Sequence, residues 1–164
     1  MALNPDFEPI TGFRPMYFED VPRVIEIEES AYISPWTAGI FRDCIRVGYY
    51  CFVYVEHEVI QAYGIISVAA NEAHILNVCV ATELRGKGLG RKMLHKLVDV
   101  ASQHDTDSLF LEVRRSNTVA IQLYMDEGFN EIGVRKDYYP AGEGKEDALV
   151  FAKALNIPED EEQD

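Results

Sequence analysis

The sequence predicts an α/β protein of the α+β mixed-sheet kind, one domain in the order β-α-α-β-β-β-α-β-α-β-β. Three observations carry this expectation. Stretches of alternating apolar residues and stretches of helically spaced ones follow one another along the chain. Turn and cap residues separate them at nearly every junction. No linker, repeat or low-complexity segment interrupts residues 1–155, so that span is read as one domain. Residues 156–164, ending in PEDEEQD, are expected to form an acidic, disordered tail.

Residues 11–16, TGFRPM, read as a short first strand. Asp20 is expected to cap a helix in which Val21, Val24, Ile25 and Ile27 share a face, with Pro22 tolerated in the first turn. Ser34-Pro35-Trp36 breaks that helix, and Thr37 can cap a second one through about Arg46. YYCFVYVE, His57-Glu58 and VIQAYGIISVAA read as a hairpin, and residues 73–81, AHILNVCVA, as a further strand. Leu89, Met93, Leu94, Leu97, Val98 and Ala101 mark one face of a helix running to about Gln103. SLFLEVRR, residues 108–115, is a strand. Ser116-Asn117 caps a helix that Gly128 ends. Residues 129–138 and 147–155 close the sheet around the turn 140–144, PAGEG.

The composition removes several function classes. At 164 residues with 48% hydrophobic content, the chain can bury a core without metal or disulfide staples. A formal net charge of −13 argues against general nucleic-acid binding, which needs a basic face. It suits solubility and a basic peptide partner. MALNPDFEPITGFRP has no signal-peptide core, and no apolar run reaches membrane-spanning length. Cys44, Cys51 and Cys79 are odd in number and lack metal-ligand spacing. His57-Glu58 lacks the second histidine of HExxH. These features lead us to expect a cytoplasmic protein with no membrane association and no metal.

Against that acidic background, residues 85–91 read RGKGLGR. Glycines here permit positive φ and a close backbone approach, and basic residues beside a helix start point to an anion. The turn is not a P-loop, since no Lys-Ser/Thr follows a matching glycine pair. A dinucleotide fingerprint needs GxGxxG, whereas Gly86, Gly88 and Gly90 are spaced GxGxG with Arg91 in the third glycine's place. That reading keeps one point in its favour, because Glu112 lies at about the distance of a ribose ligand. The flanking elements, however, leave no room for a doubly wound domain.

Arg85-Gly86-Lys87-Gly88-Leu89-Gly90 matches R-x-x-G-x-G, and through it the chain resembles the Gcn5-related N-acetyltransferase (GNAT) superfamily. The residues LEVRRSNTVAIQLYMDEGF and YYPAGEGKEDAL, with Ser34-Pro35-Trp36, narrow the likeness to the ribosomal-protein alanine N-acetyltransferase (RimI-type) branch over about Thr11 to Leu155. The glycine turn alone points only to the superfamily. Cys79 departs from the pattern, which more usually has a small apolar residue there.

The resemblance implies an acyltransferase with acetyl-CoA as co-substrate. Backbone amides from Gly86 to Arg91, with Arg85, Lys87 and Arg91, would hold the pyrophosphate. Val78, Cys79 and Val80 would pair with the pantetheine arm like an added strand. It further implies a direct transfer to the α-amine of an N-terminal alanine, in a small-subunit ribosomal protein, by a monomer or weak dimer. Two rivals stay open: a small-amine or lysine acetyltransferase, and a regulatory domain that binds acetyl-CoA without turnover.

The residues supply the chemistry such a reaction needs. Glu112 stands between Leu111 and Val113 in an apolar strand, and a desolvated carboxylate is a stronger base. The resemblance makes Glu112 the proton acceptor, and the plainer alternative is pairing with Arg114 or Arg135. Asn117 and Tyr124 lie seven residues apart, about 10.5 Å along one helix face. Within the resemblance, Asn117 holds a pantetheine amide and Tyr124 is the acid for the leaving thiolate. Cys79 is read as a small buried residue and not as an acyl-carrying nucleophile. Tyr138, Tyr139 and Trp36 are expected to shape the peptide slot. Glu28, Glu29, Glu146 and Asp147 are candidates for favouring a basic second residue on the substrate.

Overall fold

Period-two burial runs through residues 50–56, 72–80 and 108–114 of the computed structural model, which describes residues 11–155. The tail and the first ten residues lie outside the described residues. Strands β1 (Gly12–Pro15), β2 (Tyr50–Glu56), β3 (Val59–Ala69), β4 (Glu72–Val80), β5 (Ser108–Arg114), β6 (Asn130–Ala141) and β7 (Gly144–Ala154) are interspersed with helices α1 (Val21–Ala31), α2 (Ala38–Arg46), α3 (Leu89–Gln103) and α4 (Thr118–Asp126). Hydrogen-bonded neighbours run β1-β2-β3-β4-β5-β7-β6. β4 and β5 pair in parallel, from Glu72 with Ser108 to Ile75 with Leu111. β1–β2, β5–β7 and β6–β7 are antiparallel. The order of elements is the one the sequence predicts, with short 3₁₀ turns added at Phe18–Asp20 and Thr82–Leu84.

Contacts divide the chain into two compact units, residues up to Ile65 with Asn77–Met93, and Ile66–Leu76 with Leu94 onward. In the first, Val21, Val24 and Ile27 of α1, Phe41 of α2, and Val53 and Val55 of β2 form one apolar cluster. Thr37 caps α2 as expected, its hydroxyl accepting from Ile40 N–H at 3.3 Å. Asp20 does not cap α1 through its side chain. Its carboxylate is taken by Arg14, at 2.7 and 2.8 Å, and by the Tyr17 amide at 2.7 Å. A bidentate pair with a guanidinium outcompetes a single carboxylate-to-amide cap.

The second unit packs Leu94, Leu97, Val100 and Ala101 of α3 among its buried residues, with Leu109, Leu111 and Val113 of β5 and Phe151 of β7. Val100 is buried where the helical spacing had favoured Val98, which is half-buried. β6 and β7 are longer than the sequence suggests and their turn is tighter, because Tyr139, Pro140 and Ala141 continue to pair with Glu146, Lys145 and Gly144. Between Arg135 and Tyr139 the register slips. Asp137 sits there at φ 53°, its amide donating to Asp147 Oδ1 at 3.0 Å.

Candidate active site

The glycine turn lies in the first unit. Gly86 and Gly88 have φ of 80° and 81°, the left-handed region that L side chains rarely adopt. A Cβ built at either would meet nothing within 4 Å, so the turn presents bare backbone to open space. α3 begins at Leu89, so the amides of its first turn point out along the helix axis toward the glycine turn. The helix dipole and the side chains of Arg85, Lys87 and Arg91 add positive charge at that end. An electropositive cradle of backbone donors fits a pyrophosphate. Lys92 is engaged elsewhere, its Nζ 3.3 Å from Tyr54 Oη and over that ring.

Immediately upstream, β4 carries Val78, Cys79 and Val80 toward the turn. Cys79 is buried, and burial first, then the neighbouring Glu28 charge, pushes its thiol up. A thiol held protonated is a poor nucleophile, which agrees with the packing role.

In the second unit, Glu112 sits at the centre of a polar group. Its carboxylate is not buried as expected but 26% exposed, with Oε1 at 2.9 Å from Arg135 Nε. The register slip in β6 places Arg135, Tyr138 and Tyr139 around it. The charge of Glu112, then desolvation, raises the Tyr138 phenol, which also hydrogen-bonds Glu112. Tyr139 is pushed up to about 12, by burial and then by Glu112. Both phenols therefore stay protonated at neutral pH and cannot compete with Glu112 as a base. Tyr138 meets Tyr139 edge-on at 5.0 Å, and the Arg114 guanidinium lies 4.5 Å from the Tyr139 ring centre.

Asn117 is the N-cap of α4, its side-chain oxygen accepting from Ala120 N–H at 3.2 Å. The oxygen is thus occupied, and Nδ2 is the half of the carboxamide suited to donate to a ligand carbonyl. Tyr124 is buried on the same helix, its ring against Phe129 at 5.8 Å and Phe151 at 6.4 Å.

Three acidic candidates for peptide recognition are already committed to the fold. Glu28 is buried and hydrogen-bonded to Tyr63, Asn77 and the Trp36 amide. Glu146 accepts from Ser116 N–H at 2.5 Å and faces Arg114, contacts that hold its carboxyl below the usual range. Asp147 takes the Asp137 amide and pairs with Arg115 at 3.5 Å. Trp36 packs on Phe41 at 5.3 Å. The Glu28 cluster was missed at the sequence level, although one signal was present. Asn77 falls on the inward face of β4 with Ala73, Ile75 and Cys79, where a polar residue needs a buried partner.

Among the described residues no group of His, Cys, Asp or Glu is arranged to hold a metal ion, and no helix is long and apolar enough to cross a membrane.

Comparison with known proteins gives a consistent result. Residues 14–129 match the Acetyltransferase (GNAT) family. The chain is 35% identical over 138 residues to the ribosomal protein bS18-alanine N-acetyltransferase of Escherichia coli, covering 84% of this chain and 93% of that one. The crystal structure of the Escherichia coli ribosomal-protein alanine N-acetyltransferase superposes with a TM-score of 0.84 at 32% identity, over 93% of this chain and 98% of that one. A Salmonella typhimurium protein solved with its cofactor acetyl-CoA shares the fold, with a TM-score of 0.75 at 19% identity over 90% and 95% of the two chains. The chain belongs to the acetyltransferase (GNAT) family.

Proposed function

We propose that this protein is an acetyl-CoA-dependent peptide α-N-acetyltransferase that modifies an N-terminal alanine, its substrate a small-subunit ribosomal protein. The observation that carries the reading is 35% identity, over 93% of its length, to an enzyme named for that reaction. When bound, acetyl-CoA supplies an acetyl group on a thioester. The chain's residues divide the remaining work. Amides from Gly86 to Arg91, with Arg85 and Lys87, bind the pyrophosphate. The backbone of Val78, Cys79 and Val80, with Asn117 Nδ2, orients the pantetheine arm. Glu112 takes a proton from the acceptor's α-ammonium, directly or through one water. Tyr124 Oη holds the proton that the departing sulfur needs. Tyr138 and Tyr139 border the acceptor. In this reading the enzyme works in the cytoplasm as a monomer or weak dimer, without metal or nucleic acid.

The cradle predicts a ligand response. Acetyl-CoA should raise the melting temperature, and a pantetheine thioester lacking the phosphates should do so much less, since only a ligand of the native state stabilises it. A shift with NADH and none with acetyl-CoA would return the site to dinucleotide binding.

The acceptor is chosen by protonation as well as by contact. An α-amine with pKa near 8 has on the order of 10² more neutral form at pH 7 than a lysine near 10.4. A peptide beginning Ala-Arg should therefore exceed an N-blocked peptide with an internal lysine by at least about tenfold in kcat/KM. Turnover of both across pH 6 to 9 checks this. Preference for the blocked peptide would install the lysine reading instead.

A further inference from the structure

Within the first unit, the C-terminal end of α1 is tied to three successive residues of β4. Asn77 Nδ2 donates to the Glu28 carboxylate at 3.0 Å. The Val78 carbonyl accepts from Tyr32 O–H at 2.9 Å. The Cys79 thiol hydrogen-bonds the hydroxyls of Tyr63 and Tyr32, and Tyr63 O–H also donates to Glu28. Tyr32 is the C-cap of α1, its own amide closing the helix on the Glu28 carbonyl at 3.1 Å. Glu28 and Tyr32 therefore act as one rigid end.

The strand needs support at this point. Pairing of β4 with β5 runs from Glu72 with Ser108 to Ile75 with Leu111, and residues 77–79 lie past that last rung. At Val78 the hydrogen bond comes instead from a side-chain hydroxyl. Burial alone does not ask for polar ties here. Glu28, Asn77 and Cys79 are 2%, 9% and 4% exposed, and well-fitted apolar residues usually serve stability as well as a buried ionic cluster. Hydrogen bonds to three residues in a row fix what apolar contacts leave free, the tilt of each peptide plane. Directly after them come Val80, the 3₁₀ turn Thr82–Leu84 and the glycine turn. The segment that α1 holds is thus the one that would pair with the pantetheine arm. A carbonyl oxygen has two lone pairs, so Val78 can serve Tyr32 and a ligand amide together.

We propose that Tyr32 is a positioning residue for the co-substrate: with Glu28, it holds residues 77–79 of β4 as a preset track for the pantetheine arm of acetyl-CoA. The inference rests on the acetyltransferase reading above. A track ordered before the ligand arrives spares the ligand the cost of ordering it. It also gives Cys79 a use, since its thiol meets two hydroxyls that a small apolar residue would leave without that partner.

Tyr32→Phe removes the hydroxyl and keeps the ring. Calorimetry on the full chain should show the Kd of acetyl-CoA raised by about fivefold, the usual worth of one hydrogen bond. The Kd of ADP, which carries a pyrophosphate but no pantetheine, should stay within about twofold of wild type. Val55→Ala weakens the same apolar cluster without removing any of these hydrogen bonds, and should move neither Kd. An unchanged Kd of acetyl-CoA in Tyr32→Phe overturns the proposal, as does an equal rise for ADP or for Val55→Ala. Should Tyr32→Phe fail to fold, Cys79→Ala removes the thiol tie from the strand side. It should raise the Kd of acetyl-CoA by about threefold, with ADP again unmoved, and no rise overturns the proposal. A wild type that does not bind acetyl-CoA overturns the acetyltransferase reading itself, a failure distinct from wild-type binding that Tyr32→Phe leaves intact.

Discussion

Glu112→Gln is expected to lower kcat/KM near pH 7 by about 10² to 10⁴, the usual contribution of a positioned general base. The substitution keeps the size of the side chain and an oxygen for Arg135, so what it removes is the capacity to take a proton. The Arg135 pair does not prevent that role. At 58% and 26% exposure the two side chains form a solvent-screened pair, worth roughly 0–1 kcal/mol, so an arriving ammonium can displace the guanidinium at little cost. The pH dependence has a definite sign. Below the α-amine pKa, near 8, the acceptor arrives protonated and a base is needed; above it the acceptor arrives neutral. The defect of the variant should therefore shrink steadily from pH 7 to pH 9. Steady-state rates on an Ala-Arg peptide over that range decide it. A variant as fast as wild type at pH 7 removes Glu112 from proton transfer and leaves it as the partner of Arg135 and Tyr138.

How far the sequence could be read depended on whether a residue's partner was local. Thr37 was legible as a cap because its acceptor role is completed at Ile40, within the same turn. The β2–β3 hairpin was legible from alternation on both sides of His57-Glu58, which take φ of 48° and 67°. Asp20 was misread because Arg14, on the preceding strand, takes both of its oxygens. Glu112 was placed correctly on β5 but expected to be buried. Arg135 reaches it through a register slip on β6, and Asp137, the positive-φ residue of that slip, carries no glycine signal. Glu28 shows the limit most clearly. From sequence it was one of several acids on a helix, yet its partners lie 35 and 49 residues away. The backbone of the glycine turn was legible at Gly86 and Gly88, since positive φ and a helix start are local properties of the backbone.

Tyr124→Phe should lower kcat on the order of 10² while leaving acetyl-CoA affinity within a small factor, because a proton donor to the leaving sulfur acts only as the bond breaks. The change isolates the hydroxyl. The contacts of the ring with Phe129 and Phe151 are made by carbon and survive in phenylalanine, so the fold should be little affected. The defect is expected to be smaller than that of Glu112→Gln for a chemical reason. A thiolate, with its conjugate thiol near pKa 8.5, can leave unassisted far more readily than an ammonium can attack. The same reasoning gives the pH signature: above about 8.5 the sulfur no longer gains a proton at equilibrium, and wild type and variant should converge. Single-turnover rates with saturating acetyl-CoA, beside a direct measurement of its Kd, separate the two quantities. A fall in affinity with an unchanged single-turnover rate would assign Tyr124 to binding the pantetheine arm. An unchanged rate together with unchanged affinity would leave it as a buried ring that packs β7 against α4.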